Sequence, residues 1–324
     1  MKTSIVIPTR NRPEFLVNLL FSILKQTVLP NEVLIIDDSD DVKTAELIND
    51  LSDAFSRKNI SLKYLRGNVG KMSISNARNI GIDASDGEII FFIDDDVILE
   101  KHYIKEILKV YDVNPGAKGV QGFIVNLPFN PLNIYHLLFN SINKVFFLQY
   151  YEKNKCNRSR GLSYPYSPNG IIECEYLHGS NMSLKREVLI NFRFDNYFTF
   201  KGRSLGEDVR LTSKISDYYP HSLFMNPDAK VCHMSFPGKI DKDSIILFTL
   251  YFTHILVTPN MYSLKKLVLA FWRILGRFIS EAVYFLASKN IYMFLYLAKS
   301  YLLAFVHFDE VIKGDFSFCK HELK

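Results

Sequence analysis

Apolar positions in the first hundred residues switch between two periods. Ser4 to Ile7 ("SIVI") and Glu32 to Ile36 ("EVLII") are apolar runs of strand length, whereas "RPEFLVNLLFSILKQ" between them repeats its apolar residues at helical spacing. That is a βαβ unit. The pattern then predicts a helix through Thr44 to Phe55, a strand at Ser61 to Leu65, a helix within "GKMSISNARNIGIDAS", and a strand at Ile89 to Ile93. Such alternation implies parallel strands joined by right-handed crossovers. The last strand consists of β-branched and aromatic residues and reads as buried on both faces. It stops on three carboxylates, Asp94, Asp95 and Asp96. Parallel α/β sheets take ligands at the carboxyl ends of their strands, and adjacent like charges disfavour ionisation, so a bound cation explains the cluster better than a solvated acidic turn. A second acidic turn, Asp37-Asp38, closes the strand at Glu32 to Ile36.

The pattern changes further along. Residues 123 to 170 are aromatic-rich, then rich in Asn, Arg and Pro, which predicts an apolar helix at Asn133 to Tyr151 followed by a basic loop. This stretch reads as an insertion that covers an acceptor site, touches a membrane or simply packs on the core. In "LVLAFWRILGRFISEAVYFLAS" the polar residues Arg273, Arg277, Glu281 and Ser288 fall on one helix face, opposite a broad Phe, Trp and Leu surface. Ile245 to Thr258 is short for a span, and Ile291 to Phe308 carries Lys299 in mid-run. Interfacial seating on a membrane is therefore expected over crossing, with a single span at Ile291 to Phe308, plain packing or a homo-oligomer interface as alternatives. The expected division is a first domain over residues 1–240 and a helical region over 241–324.

Composition narrows the function classes. With 324 residues and 48% hydrophobic content the chain exceeds one typical domain. A net charge of +5, without a basic motif, gives no reason to expect nucleic acid but suits anionic lipid or phosphate. Cys156, Cys174, Cys232 and Cys319 show no C-x-x-C spacing and read as free thiols of a reducing compartment. "MKTSIVIPTRNR" enters a strand at once, so no secretory signal is expected, and the sequons at Asn157 and Asn181 read as chance matches. The first turn, "IPTRNRPEF", lacks G-x-G-x-x-G, and no Walker loop occurs, so the NAD and common nucleotide-hydrolase readings fail.

Taken together, "SIVIPTRNRPEFLVNLLFSILKQT", "EVLIIDDSD", "NARNIGIDASDGEIIFFIDDDV", "GSNMSLKREVL" and "GEDVRL" resemble the family 2 inverting glycosyltransferases with the A-type nucleotide-sugar-binding fold. The resemblance spans the chain from residue 3 to about 235. It implies an α/β, doubly wound, mixed and mostly parallel sheet, followed here by a C-terminal apolar and amphipathic helical extension. It also implies a nucleotide-diphosphate sugar donor, whose phosphates favour a hard divalent cation, Mn²⁺ or Mg²⁺. Asp96 would be the main metal ligand and His233 would complete the shell, imidazole suiting Mn²⁺ better. Asp95 would meet the ribose, and Asp94 the loop or the sugar. Pro8, Thr9 and Asp38 would line the nucleobase site, with Asp37 supporting the turn. Arg10 stands where the family usually has an aromatic, and its guanidinium could stack instead. Arg78 would point to the phosphates. Gly179, Ser180 and Asn181 would line the donor and acceptor junction, His178 being structural. An acceptor hydroxyl needs a base, which family position makes Asp208, with Glu207 orienting the acceptor or raising its neighbour's pKa.

Processive synthases of the family carry Q-x-x-R-W where this chain has only "FWRIL", so transfer of a single sugar, a hexose, is expected. The implied protein works at the cytoplasmic face of a membrane, on a lipid-linked or cell-surface glycan. Alternatives are a polyprenyl-phosphate sugar transferase and a non-catalytic, membrane-peripheral nucleotide-sugar-binding protein. A nucleotidyltransferase would need a glycine-rich activating loop near the start, which is missing.

Overall fold

The computed structural model describes residues 1–67, 73–126, 134–148, 151–158, 162–195, 199–200, 203–204, 206–234, 242–261 and 263–319. The first elements are β1 (Thr3–Thr9), α1 (Pro13–Leu24), β2 (Glu32–Asp37), α2 (Lys43–Ser56), β3 (Ser61–Arg66), α3 (Ile74–Ala84), β4 (Ile89–Ile93), β5 (Val97–Leu99), α4 (Tyr103–Val113) and β6 (Gly119–Ile124). After α5 (Ile134–Val145) come the short strands β7 (Tyr151–Glu152), β8 (Tyr164–Pro165) and β9 (Ile172–Glu173), then β10 (Asn181–Lys185) and α6 (Arg186–Leu189). Two further short strands, β11 (Thr199–Phe200) and β12 (Arg203–Ser204), precede α7 (Glu207–Tyr218) and β13 (Leu223–His233). Helices close the chain: α8 (Lys242–Val257), α9 (Leu264–Ala287), α10 (Ile291–Val306) and α11 (Phe308–Lys313).

The chain divides into two compact units: Met1–Leu127 with Ser167–Asn196 and Lys201–Phe236, and Pro128–Tyr166 with Tyr197–Phe200 and Pro237–Lys324. The first unit holds one mixed sheet of order β3-β2-β1-β4-β10-β6-β13-β5, with β9 also on β13. From β3 to β4 it is parallel, as the alternation implied. β1, β2 and β4 are buried along their whole length, which is why they carry almost unbroken apolar runs. α3 starts on Ser73, whose hydroxyl accepts from the Asn76 N–H at 3.3 Å, an N-cap contact that satisfies one otherwise orphaned donor. It lies so close to β1 that a Cβ at Gly81 would overlap Val6. Any larger residue there would push the helix off the sheet.

Beyond β4 the structure departs from the sequence pattern. Asn181–Lys185, where the hydrophobic pattern marks no strand, is strand β10, which runs antiparallel between β4 and β6. The helix that follows is a single turn. His233 ends the long strand β13, whose pairing with β6 shifts register between Met225 and Lys230. The helix expected from Asn133 to Tyr151 runs from Ile134 to Val145, and residues 133, 149 and 150 lie outside the described ones.

In the second unit α8 is buried on most of its surface, among α9, α10 and α11. Leu148, Phe252, Leu256, Val257 and Ala270 form one core cluster, and Ile245, Ala282, Phe285 and Leu297 another. The polar face of α9, on which the expected interfacial seating rests, turns inward at Arg277: its side chain is only 11% exposed, its guanidinium 3.8 Å from the Phe252 ring centroid and its Nε donating to Glu281 at 2.7 Å. An intrahelical ion pair and an aromatic face satisfy the charge inside. No helix among the described residues is long and apolar enough to cross a membrane.

Candidate active site at the ends of β1 and β4

Chain geometry gathers the acidic cluster before any contact is considered. β4 lies in the middle of the sheet whereas β5, three residues later, is at its far edge against β13, so Asp94, Asp95 and Asp96 form the bridge between them. Antiparallel pairing sets Asn181 opposite Ile93 and His233 opposite Val97, which brings Ser180 and His233 to the same sheet end. Asp94 N–H donates to the Ser180 carbonyl at 3.2 Å, and Met234 N–H to the Asp96 carbonyl at 2.7 Å. Backbone bonds therefore hold the turn at both ends.

Asp94, Asp96 and His233 each offer a ligand atom, all within 4.8 Å of one another. His233 Nε2 lies 3.5 Å from Asp96 Oδ1, and its backbone is clamped on both sides by Asn126, whose side chain accepts from the His233 N–H at 2.9 Å and donates to its carbonyl at 2.8 Å. Burial raises the pKa of Asp94, against Arg78 and with Asp96 adding to the rise. Burial likewise pushes Asp95 up to about 7, opposed by a 2.7 Å hydrogen bond from the Thr9 hydroxyl. Crowded acids beside an imidazole fit a divalent cation, which relieves the repulsion, and the mixed oxygen and nitrogen donors suit Mn²⁺. Asp94, expected at the loop or the sugar, lies within reach of the two residues expected as ligands.

The same bridge touches a residue that the sequence did not single out. Arg12, the residue before α1, places Nη1 3.1 Å from Asp96 Oδ2 and 3.5 Å from Asp95 Oδ1. Only the chain reversal after β1 brings it there, and nothing in its neighbourhood in the sequence announces it.

At the neighbouring strand ends, Pro8 and Thr9 finish β1, and the Asp38 N–H donates to the Thr9 carbonyl at 3.0 Å. A Cβ on Gly67 would overlap the Asp38 carboxylate, so glycine keeps that edge open. Asp37 is fully buried and supports the turn, accepting from Ser39 N–H at 2.8 Å and from the Tyr64 hydroxyl at 2.8 Å. Arg10 pairs with Asp40 at 3.0 Å at the exposed rim. Asn11 and then Arg10 hold the Asp40 carboxyl below its ordinary value.

Arg78 is 1% exposed. Its Nη1 donates to Glu207 Oε1 at 2.8 Å, its Nη2 to Asp94 Oδ1 and to the Gly179 carbonyl, each at 3.0 Å, and Phe194 lies under the guanidinium. These bonds tie the acidic turn after β4 to the start of α7. There Gly206, at φ +67°, turns the chain into the helix, and two acids in its first turn face the positive end of the dipole. Glu207 is pushed up to about 7 by burial and then by Asp208, in spite of Arg78. Asp208 Oδ2 accepts from Gly179 N–H and Oδ1 from its neighbour's, Val209 N–H, at 2.8 Å. A Cβ at Gly179 would come within 2.9 Å of both Asp208 Cβ and Oδ2 and 3.0 Å of Arg78 Nη2. His178 donates its N–H to Gln121 Oε1 at 2.6 Å, its ring nitrogen meets the Ser180 hydroxyl at 2.9 Å, and burial lowers its pKa. Asn181 spends its side-chain carbonyl on Gly122 N–H at 2.8 Å. Every residue expected at the site is found in this unit, and Arg10 is the one whose named contacts lie at the rim.

Comparison with known proteins points the same way. A family model described as Glycosyl transferase family 2 matches residues 4–189. The chain is 25% identical over 259 residues to the glucosyl-dolichyl phosphate glucuronosyltransferase of Haloferax volcanii, covering 76% of this chain and 73% of that one. It is 27% identical over 130 residues to the poly(ribitol-phosphate) β-N-acetylglucosaminyltransferase TarS of Staphylococcus aureus, of whose length it spans 22%. Among solved structures, the mannosyltransferase PcManGT of Pyrobaculum calidifontis, in complex with GDP-Man and Mn²⁺, superimposes with a TM-score of 0.54 at 17% identity, over 94% of this chain and 75% of that one. TarS residues 1–349 superimpose with a TM-score of 0.51 at 16% identity, over 93% and 91%. Both share the fold.

Proposed function

This chain belongs to glycosyl transferase family 2 and is a glycosyltransferase, and on that premise we propose that it moves a single sugar from a nucleoside-diphosphate donor to an acceptor hydroxyl, with inversion at the anomeric carbon. The observation that carries this reading is the Gly179 junction. Its carbonyl accepts from Arg78, which also holds Asp94, while its N–H donates to Asp208. One residue thus separates the proposed phosphate site from the proposed base.

Asp94, Asp96 and His233 would hold the cation. When bound it would offset the charge that develops on the departing diphosphate. Thr9 and Asp38 would meet the nucleobase, with Pro8 and Arg10 beside them, and Asp95 the ribose. Asp208 would act as the base: each carboxylate oxygen accepts one backbone N–H in the structure, which leaves lone pairs on both for the acceptor proton. As the acceptor oxygen bonds to the anomeric carbon, its proton passes to Asp208 and the electron pair of the breaking bond leaves with the nucleoside diphosphate. Arg78 and Glu207 position the two halves of the site, and Ser180 and Asn181 shape the wall between donor and acceptor.

For the acceptor, a phosphate-bearing glycan or lipid-linked sugar is favoured. Both relatives described above carry a phosphate in the names of what they work on, dolichyl phosphate in one and poly(ribitol-phosphate) in the other. A net charge of +5 agrees with an anionic partner. Such an acceptor would set the enzyme to work at the cytoplasmic face of a membrane. Direct transfer to polyprenyl phosphate differs only in acceptor.

The test is a panel of nucleotide sugars with Mn²⁺ or Mg²⁺ and phosphate-bearing acceptors, read by product formation and by NMR at the new linkage. A product of inverted anomeric configuration is expected. A retained configuration would overturn the assignment of Asp208 as base.

A further inference from the structure

Helices α9 and α10 bury polar groups beside their core residues Ala270, Phe285 and Leu297. Ser280 donates to Asn143 at 2.8 Å, Ser300 to Thr249 at 3.0 Å, both buried, and Arg277 is paired with Glu281 against Phe252. Their solvent-facing sides nonetheless carry many large apolar residues. Along α9, Leu264 is 78% and Val268 61% exposed, followed at helical spacing by Phe271, Leu275 and Leu286; along α10, Leu302 is 61% and Phe305 79% exposed. Trp272, 41% exposed with its ring packed on Phe146, already donates its indole N–H to the Val145 carbonyl at 3.2 Å, so taking its exposed part out of water leaves no donor stranded.

Single exposed apolar residues need no explanation, but two successive helices with this arrangement do. The charges identify what covers them. Lys265, Lys266, Lys289 and Lys299 are exposed on these helices and their connection, and the only acid between Leu264 and Val306 is Glu281, which is spent on Arg277. A twofold pairing with a second copy would set like face on like face and lysine towards lysine. An anionic bilayer complements both features, accepting apolar side chains at the acyl boundary and ammonium groups among phosphates. Crossing is excluded by length and charge: α10, at about 24 Å, falls short of a hydrocarbon core of about 30 Å, and α9 carries five charged residues.

We propose that the outward faces of α9 and α10 form a docking surface for an anionic phospholipid bilayer, on which the second unit lies in the plane of the interface. This deepens the reading of a membrane-borne acceptor and rests on it for its purpose, though not for its evidence.

The test uses the full-length protein and vesicles of phosphatidylcholine alone or doped with phosphatidylglycerol, in flotation across a salt series. Binding to the doped vesicles that weakens as salt rises is expected. K265E/K266E should reduce that binding about ten-fold or more while sparing the weaker binding to neutral vesicles. V268E/F305E should reduce both, and since the two positions are exposed, unchanged thermal melting would show that the fold is intact. A full-length protein that does not float, variants that float like the parent, or a dimer by light scattering that V268E/F305E turns into monomer would each overturn the proposal. Calorimetry of nucleoside diphosphate with Mn²⁺ runs beside it: its failure with flotation intact sinks the catalytic reading alone, and the reverse sinks the docking surface alone.

Discussion

Arg78 and Glu207 lie 129 positions apart in the chain and meet as an ion pair of 2.8 Å with almost no solvent around it. The same guanidinium holds Asp94. Arg78→Ala would leave two acids without their cation in a buried site, a change expected to cost about 3–5 kcal/mol. Arg78→Lys keeps the charge but not the fork that reaches both partners, so it should lose less. Urea unfolding of the three proteins measures the difference, and an alanine variant as stable as the parent would remove Arg78 as the tie.

Glu207 gives stability a characteristic pH dependence. Its folded pKa is about 7 against an ordinary 4.5, raised by burial and by Asp208. The folded state therefore holds this proton more tightly than the unfolded state, so the group favours folding most below about 4.5, and that contribution is lost as pH rises through about 7. Glu207→Gln should flatten this part of the profile. Urea midpoints at a series of pH values would show it, and an unchanged slope in the variant would mean that some other group titrates there.

Substitutions on either side of Gly179 should separate binding from turnover. Asp96→Ala is expected to abolish metal-dependent donor binding by calorimetry. Asp208→Asn should preserve binding and lower turnover about 10²–10⁴-fold, the usual contribution of a positioned base. An Asp208 variant at full rate would dismiss it from that role.

Gly179→Ala tests the junction itself. The added methyl would press on the Asp208 side chain and on Arg78 Nη2, and neither can withdraw without giving up a hydrogen bond. A fall in kcat of about 10²-fold is expected, since displacements near 1 Å cost that much. Donor affinity should change far less. Equal losses in both would place the damage in the fold.

How much was legible depended on whether neighbours in the chain are neighbours in space. From β1 to β3 they are, since successive strands pair in parallel, and β1, β2 and β4 are buried throughout, so an unbroken apolar run marks each of those three. β10 escaped because "NMSLK" is short, polar at alternate positions and placed by β4 and β6 rather than by its own propensity. The acids at the strand ends announced themselves by following an apolar run. Arg12 did not, since its acidic partners Asp95 and Asp96 lie 83 and 84 positions away and only the turn after β1 brings them near. For α9 the period was read correctly and its orientation was not: an amphipathic pattern states that two faces differ, not which one meets water.

The bridge from β4 to β5 also sets a timetable. β5 has its sheet partner in β13, with Val97 opposite His233, so the carboxylates that follow Ile93 lack their second anchor until the end of β13 has been made. Ribosomal synthesis of the stretch between them takes on the order of ten seconds. During that interval the nascent chain carries the acids without the imidazole, and the proposed cation site is complete only once the last strand of the sheet in chain order has been made.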